Sequence, residues 1–162
     1  MNPYASFLAG QDPLKVISAT PARMRTLLRG LTPAQLKKHS KPGKWSIHEI
    51  LLHLADCELM FASRCRLIAF ESYPHLAPFD QDRWNTGKLR EKDSTADALA
   101  RFLSLRKTQI SLYKALSKEE MSRSGNHPER GEVSVRETFE TQAGHDINHL
   151  GQLEGLRALL KK

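Results

Sequence analysis

Residues 45–70 read "WSIHEILLHLADCELMFASRCRLIAF". Ser46 followed three residues later by Glu49 is a capping box, in which each side chain takes up a backbone N–H that the first helical turn leaves free, so the spacing predicts a helix from 46 to about 70. At 100° per residue, Ile50, Leu54, Phe61 and Ile68 fall about 60° to 100° from His53, which lies at the margin of that stripe. A helix with one apolar stripe gains most of its stability from partners that carry the same pattern.

The rest of the chain supplies them. Asp12 and Pro13 open a helix that "TPARMRTLLRGL" continues, with Pro21 either kinking it or restarting it behind a Thr20 cap, and Gly30 ending it. "LTPAQLKK" makes a short helix after Thr32, and "SKPGK" a turn. A further long helix is expected over 94–116, its apolar face made by Ala98, Phe102, Leu105, Ile110 and Leu112. Ser134 and Glu137 repeat the capping box and start a last helix that runs to about Leu160. Residues 71–93 read as a long loop with one short helical turn, and "SGNHPERGEV" as a turn-rich connection. No alternating strand pattern stands out. Four long amphipathic helices predict an all-α four-helix bundle, with residues 1–162 as a single domain.

The 162 residues are 40% hydrophobic and 27% charged, the balance of a folded domain rather than a disordered one. No apolar run approaches the roughly 18 to 20 residues of a membrane span, and the N-terminus lacks the basic start and apolar stretch of a signal peptide. Cys57 and Cys65 lie eight residues apart on one helix, about 12 Å along its axis, too far to pair. A reducing, cytoplasmic location is expected. The net charge of +7 is scattered in short pairs such as "LKK" and "LRK" on polar faces, without aromatic interleaving, so a solvated basic surface is expected rather than a nucleic-acid partner.

The chemistry points to the histidines. In "GHDINHLGQ", 144–152, His145 and His149 are one helical turn apart and about 40° apart around the helix, both on the inward face with Leu153 and Leu156. Such a pair can lean toward one ion, and a facing helix must supply the third ligand; His53 is the available inward histidine. Three imidazoles leave a fourth position open, as in catalytic zinc sites. His39, His48, His75 and His127 fall in turns, loops or the polar face and are taken as surface residues. "HDINH" differs from the H-E-x-x-H of zinc proteases by a shorter carboxylate arm, and Glu154 points away from His145, which argues against a protease.

The pattern "KWSIHEILLHLADCE", followed about ninety residues later by "HDINHLGQ", resembles the DinB superfamily, and "HPERG" with "PFDQDRW" is most similar to its YfiT-type branch of metal-dependent hydrolases. The likeness runs from about residue 14 to 158. It implies an up-down-down-up bundle, with His53, His145 and His149 as ligands of one divalent ion, zinc or nickel. Relatives are similar to thiol S-transferases, so the resemblance implies activation of a low-molecular-weight thiol for transfer to a small electrophile. Hydrolysis by activated water is the alternative, and a non-catalytic, stress-related binding module a third. A homodimer is compatible with the exposed apolar residues.

Around the three histidines, Asp56 and Glu49 are candidates to orient His53 through its second ring nitrogen. Gln142 and Gln152, about 60° and 20° from His145 on the last helix, are candidates to touch substrate or backbone. Arg64 is a candidate to receive an anionic substrate. Trp45 and Trp84 are taken as packing residues, and Cys57 as a small buried hydrophobe.

Overall fold

The computed structural model describes residues 2–86 and 92–160. Its elements are α1 (Ala5–Leu8), α2 (Pro13–Leu28), α3 (Pro33–Lys37), α4 (Ile47–Phe70), α5 (Gln81–Thr86), α6 (Thr95–Ala115), α7 (Lys118–Ser122), β1 (Ser124–His127), β2 (Gly131–Ser134) and α8 (Val135–Leu160). The four long helices, α2, α4, α6 and α8, form the bundle. Caps fall where the sequence places them: Asp12 accepts from the Leu14 N–H, and Ser46 and Glu49 exchange bonds, with the Ser46 N–H donating to the Glu49 carboxylate at 2.7 Å.

Side-chain pairings give the helix directions. Between α4 and α6, His48 meets Thr95, Glu58 meets Arg106 and Arg66 meets Gln109, so the two run parallel. Between α4 and α8, His53 meets His145 while Glu58 meets Gln142, so these run antiparallel. Arg23 with Glu154 and Leu27 with Arg157 make α2 and α8 parallel. The order is up-down-down-up, and the long connection after Phe70 is what allows α6 to return to the level where α4 began.

Apolar packing closes both ends. Ile17, Ile68, Val135 and Phe139 centre one cluster, and Met24, Ile50, Phe102 and Leu153 the other. The level between them is polar. There Arg106, expected on a polar face as part of "LRK", is only 1% exposed. On the α6 face it and the buried Gln109 stand inward, whereas Leu105, Ile110 and Leu112 are only partly buried.

Pro21 explains one of Arg106's bonds. The helix continues through Pro21 without restarting, and Thr20 donates back to the Val16 carbonyl instead of capping. Proline has no N–H, so the Ile17 carbonyl loses its helical donor. Arg106 Nη1 replaces it at 3.2 Å.

The connection expected to be turn-rich is a β-hairpin, β1 pairing antiparallel with β2 and Gly131 taking φ 72° at the turn. Strands of only four residues each, with Val133 as their one apolar side chain, carry too little alternation to show in sequence. β1 also bridges to His75, with Leu76 donating to Asn126 and Asn126 to Pro74, which ties the long connection to the bundle. α1 was not anticipated. Among the described residues no helix is long and apolar enough to cross a membrane.

Candidate metal centre

The antiparallel pairing of α4 and α8 brings His53 and His145 together in the polar level, their Nε2 atoms 3.0 Å apart. Cys57, one turn after His53, places Sγ 3.5 Å from the same Nε2, and one donor atom from each of His53, Cys57 and His145 lies within 4.8 Å of the others. The His149 ring stands 4.4 Å from that of His145 and 4.8 Å from that of His53, centroid to centroid. Its Nδ1 bonds the Gln152 amide oxygen at 3.0 Å, which places the proton on Nδ1 and leaves Nε2 with a free lone pair. The exposures are 1% for His53, 3% for His145 and 5% for His149.

Electrostatics favour the uncharged forms of His145, His149 and Cys57. Burial first, then His149, His53 and Arg106, hold His145 well below the ordinary imidazole range. Burial also lowers His149, although the bond to Gln152 opposes it. Cys57 is pushed far up by burial and by the carboxylates of Asp56 and Glu58, so it is a thiol rather than a thiolate. Neutral imidazoles are what a divalent ion requires of its ligands. Two nitrogens bound tetrahedrally at about 2.0 to 2.1 Å lie roughly 3.3 Å apart, and the observed Nε2 separation of 3.0 Å is a few tenths of an ångström from that. The His53–His145 pair fits an ion, while His149, whose ring stands beside both, is not among the mutually close donor atoms, which are those of His53, Cys57 and His145.

Aromatic rings wall the cluster. Trp45 packs 4.9 Å from the His53 ring and nearly parallel to that of His149, while Tyr4 and Phe61 stand edge-on to His145 at 5.1 and 5.8 Å. Trp45 is thus a packing residue, as expected, but one that packs on the histidines. Trp84 packs on Phe79. Gly144 admits Tyr4, since a Cβ there would stand 2.4 Å from the Tyr4 carbonyl oxygen. A cavity of about 490 Å³ opens beside His145 and Cys57, bounded by Tyr4, Phe61, Phe79 and Arg64.

Behind the histidines lies a buried ionic network. Arg106 donates from Nε and Nη2 to Glu58, and from Nη1 and Nη2 to Asp146, and all three side chains are 1% exposed. Gln142 Nε2 adds a bond to Glu58 at 2.9 Å. Burial raises the Glu58 carboxyl above its ordinary range even with Arg106 beside it.

Of the flanking candidates, Gln152 holds His149 and Arg64 lines the cavity, its Nη2 donating to the Ala77 carbonyl at 2.9 Å. Glu49 is committed to the Ser46 cap, and Gln142 is fully buried against Glu58 rather than turned to a substrate. Asp56 is half-buried on α4. Two histidines assigned to the surface are buried: His48 bonds Thr95 Oγ1 at 2.7 Å, and His127, 8% exposed, lines the cavity. The sequence reading missed Glu58, Arg106 and Tyr4 altogether. Arg106 left a trace, four residues beyond Phe102 on the stripe that Ala98 begins.

The family profile described as the DinB superfamily matches residues 17–153. A protein of Oceanobacillus iheyensis, provisionally named a metal-dependent hydrolase, is 27% identical over 141 residues, 86% of this chain and 81% of its own length. YfiT of Bacillus subtilis, named in the same way, is 24% identical over 144 residues, again 86% and 81%. The solved structure of YfiT, described as a four-helix bundle of unusual topology, matches with a TM-score of 0.84 at 21% identity, covering 92% of this chain and 86% of that one.

Proposed function

The chain belongs to the DinB superfamily, and from that premise we propose that it is a metal-dependent enzyme in which His53, His145 and His149 hold one divalent ion, zinc or nickel. A bound ion supplies Lewis acidity, lowering the pKa of a thiol or water molecule that enters its open position. The observation that carries the reading is the convergence of buried imidazoles from two helices, with two Nε2 atoms 3.0 Å apart and the two imidazoles on α8 depressed toward their neutral form. Imidazole donors suit zinc and nickel alike.

Each neighbouring residue has a task in this reading. Gln152 fixes the His149 tautomer through Nδ1 and frees Nε2. Trp45, Tyr4 and Phe61 exclude water from the imidazoles. Three neutral ligands leave the ion's positive charge undiminished, which favours an anionic nucleophile. The nucleophile we favour is a low-molecular-weight thiol, because a thiolate is soft and gives up its hydration in a dry, aromatic-walled site more easily than hydroxide does. The electrophile is a small molecule in the adjoining cavity.

Hydrolysis is the second reading, favoured by the names of the relatives in Oceanobacillus iheyensis and Bacillus subtilis. The two separate in one assay. Metal-loaded protein is given an electrophilic aryl halide with and without a small thiol; conjugation whose rate rises with thiol is expected, and turnover indifferent to thiol would overturn transfer in favour of hydrolysis. The buried free thiols of Cys57 and Cys65 fit a reducing, cytoplasmic setting, and the exposed Leu67, Phe70 and Tyr73 at the end of α4 fit a homodimer contact.

A further inference from the structure

The cavity beside the histidines carries positive charge that the metal reading leaves unused. Arg64 from α4, His127 from the end of β1 and Arg130 from the hairpin turn all line it. Arg64 and Arg130 repel one another, and after burial both depress the His127 imidazole, which favours its neutral form. Two guanidinium groups in one wall call for an acceptor.

The described residues offer little. Arg64 spends Nη2 on the Ala77 carbonyl, but its Nε is buried without an acceptor, and so are Nε and Nη2 of Arg130, among the described residues. The nearest carboxylate to Arg130, on Glu137, stands 3.9 Å away and also reaches toward the Ser134 N–H. Of the two acids on the cavity wall, Asp80 accepts the Arg83 N–H at 2.9 Å, and Glu129, though it attracts Arg64 and His127 at a distance, is exposed and makes no side-chain bond to either guanidinium among the described residues. His127 Nδ1 accepts from the Glu129 N–H at 3.3 Å, so its proton sits on Nε2 and the ring is a further donor. Buried charged donors without acceptors are among the costliest groups a fold retains.

We propose that Arg64, Arg130 and His127 form a subsite for the oxyanion of a small ligand, a carboxylate or a phosphate, whose other end reaches His145 and Cys57. The α4 spacing sets the ligand's length. Cys57, Phe61 and Arg64 line the cavity from successive turns, so the anionic end stands about 10 Å along the helix axis from the donor cluster. Phe61 and Phe79 give the middle of the molecule apolar walls. The fitting substrate has an anionic head, a largely apolar middle several bonds long and a reactive group at the far end. That this ligand is the substrate rests on the proposed metal-dependent activity; the subsite itself does not.

Calorimetric titration of the full chain with phenylpropionate, phenethyl phosphate and neutral phenylpropanamide tests the proposal. At least one anion should bind about 10-fold more tightly than the amide, the size of one charge-assisted hydrogen bond. The preference should vanish in Arg64→Gln/Arg130→Gln and grow in Glu129→Gln, which removes a competing carboxylate. Should the double variant fail to fold by thermal melting, Arg130→Gln alone should lower the preference about threefold or more, one bond of several being lost. Each titration is run on chelated and on metal-loaded protein. A preference seen only with metal places the anion on the ion and overturns the subsite, as do equal affinities, no binding of any probe, or a preference unchanged in the variants. A protein that binds no metal but keeps the preference leaves the subsite standing and sinks the metal-dependent reading.

Discussion

Arg106→Met removes the one cation of a network whose carboxylates cannot reach water. Glu58 and Asp146 are each 1% exposed and together accept five bonds from the guanidinium, at 2.5 to 3.1 Å. Breaking a buried ion pair from one side costs about 3 to 5 kcal/mol, and with two carboxylates stranded the upper end is expected, about 5 kcal/mol. That rivals the whole stability of many domains, about 5 to 15 kcal/mol. The loss must depend on pH. Burial already raises the Glu58 carboxyl, and without Arg106 only the Gln142 hydrogen bond opposes that rise. A carboxyl whose folded pKa exceeds its unfolded one stabilises the fold at low pH and loses that contribution as pH rises through the folded value. The deficit of the variant should therefore be larger at about pH 8 than at about pH 5, because Glu58 takes up a proton as pH falls. Guanidinium unfolding at both pH values, with a shifted midpoint and unchanged slope, measures it. A deficit under about 1 kcal/mol at the higher pH, or one that does not change with pH, would refute the reasoning.

Three further outcomes follow from the same geometry. Cys57→Ser should keep metal stoichiometry, measured by elemental analysis, whereas His149→Ala should lose it with the fold intact by circular dichroism; the reverse result would make Cys57 the third ligand. Chelated protein should be at full stability above about pH 6.5 and lose it as pH falls from there toward the depressed folded values of His145 and His149, by up to about 1.4 kcal/mol per pH unit for each proton. Denaturation across that range checks this, and a curve identical in His145→Asn would count against it. Gly144→Ala drives a Cβ against the Tyr4 backbone and should cost about 1 to 3 kcal/mol while freeing the N-terminal segment, seen as faster hydrogen exchange over residues 4–9.

The helices were legible because their signals are local. Asp12, Ser46, Ser94 and Ser134 cap where short-range hydrogen bonding requires, and the apolar stripes show at one turn's spacing. The histidines were legible for the same reason, two of them sharing a turn of α8. What stayed hidden depends on contacts between distant segments. Arg106 reads as a surface base until Glu58, Asp146 and the Ile17 carbonyl are brought to it from three other helices. His127 reads as a loop residue until the hairpin folds it over the cavity. Glu49 was misassigned because one carboxylate serves either a cap or a histidine, and local bonding to Ser46 won. Tyr4 precedes a four-residue helix as its N-cap, at a place set by the absent side chain of Gly144, a signal no periodicity carries.

The buried charges and the histidines occupy the same turns, and this bears on why so expensive a network is kept. On α4, Glu58 diverges from His53 by about 140°, and on α8, Asp146 from His145 by about 100°, so one flank of each helix gathers imidazoles while the other grips Arg106. Apolar packing at the two ends of the bundle tolerates sliding, because any apolar neighbour serves. Directional bonds from one planar guanidinium to carboxylates on α4 and α8, and to the carbonyl that Pro21 leaves free on α2, do not. A slip of one turn between α4 and α8 would move the two Nε2 atoms about 5.4 Å past each other and end any shared coordination. The network thus holds the register on which the proposed metal centre depends.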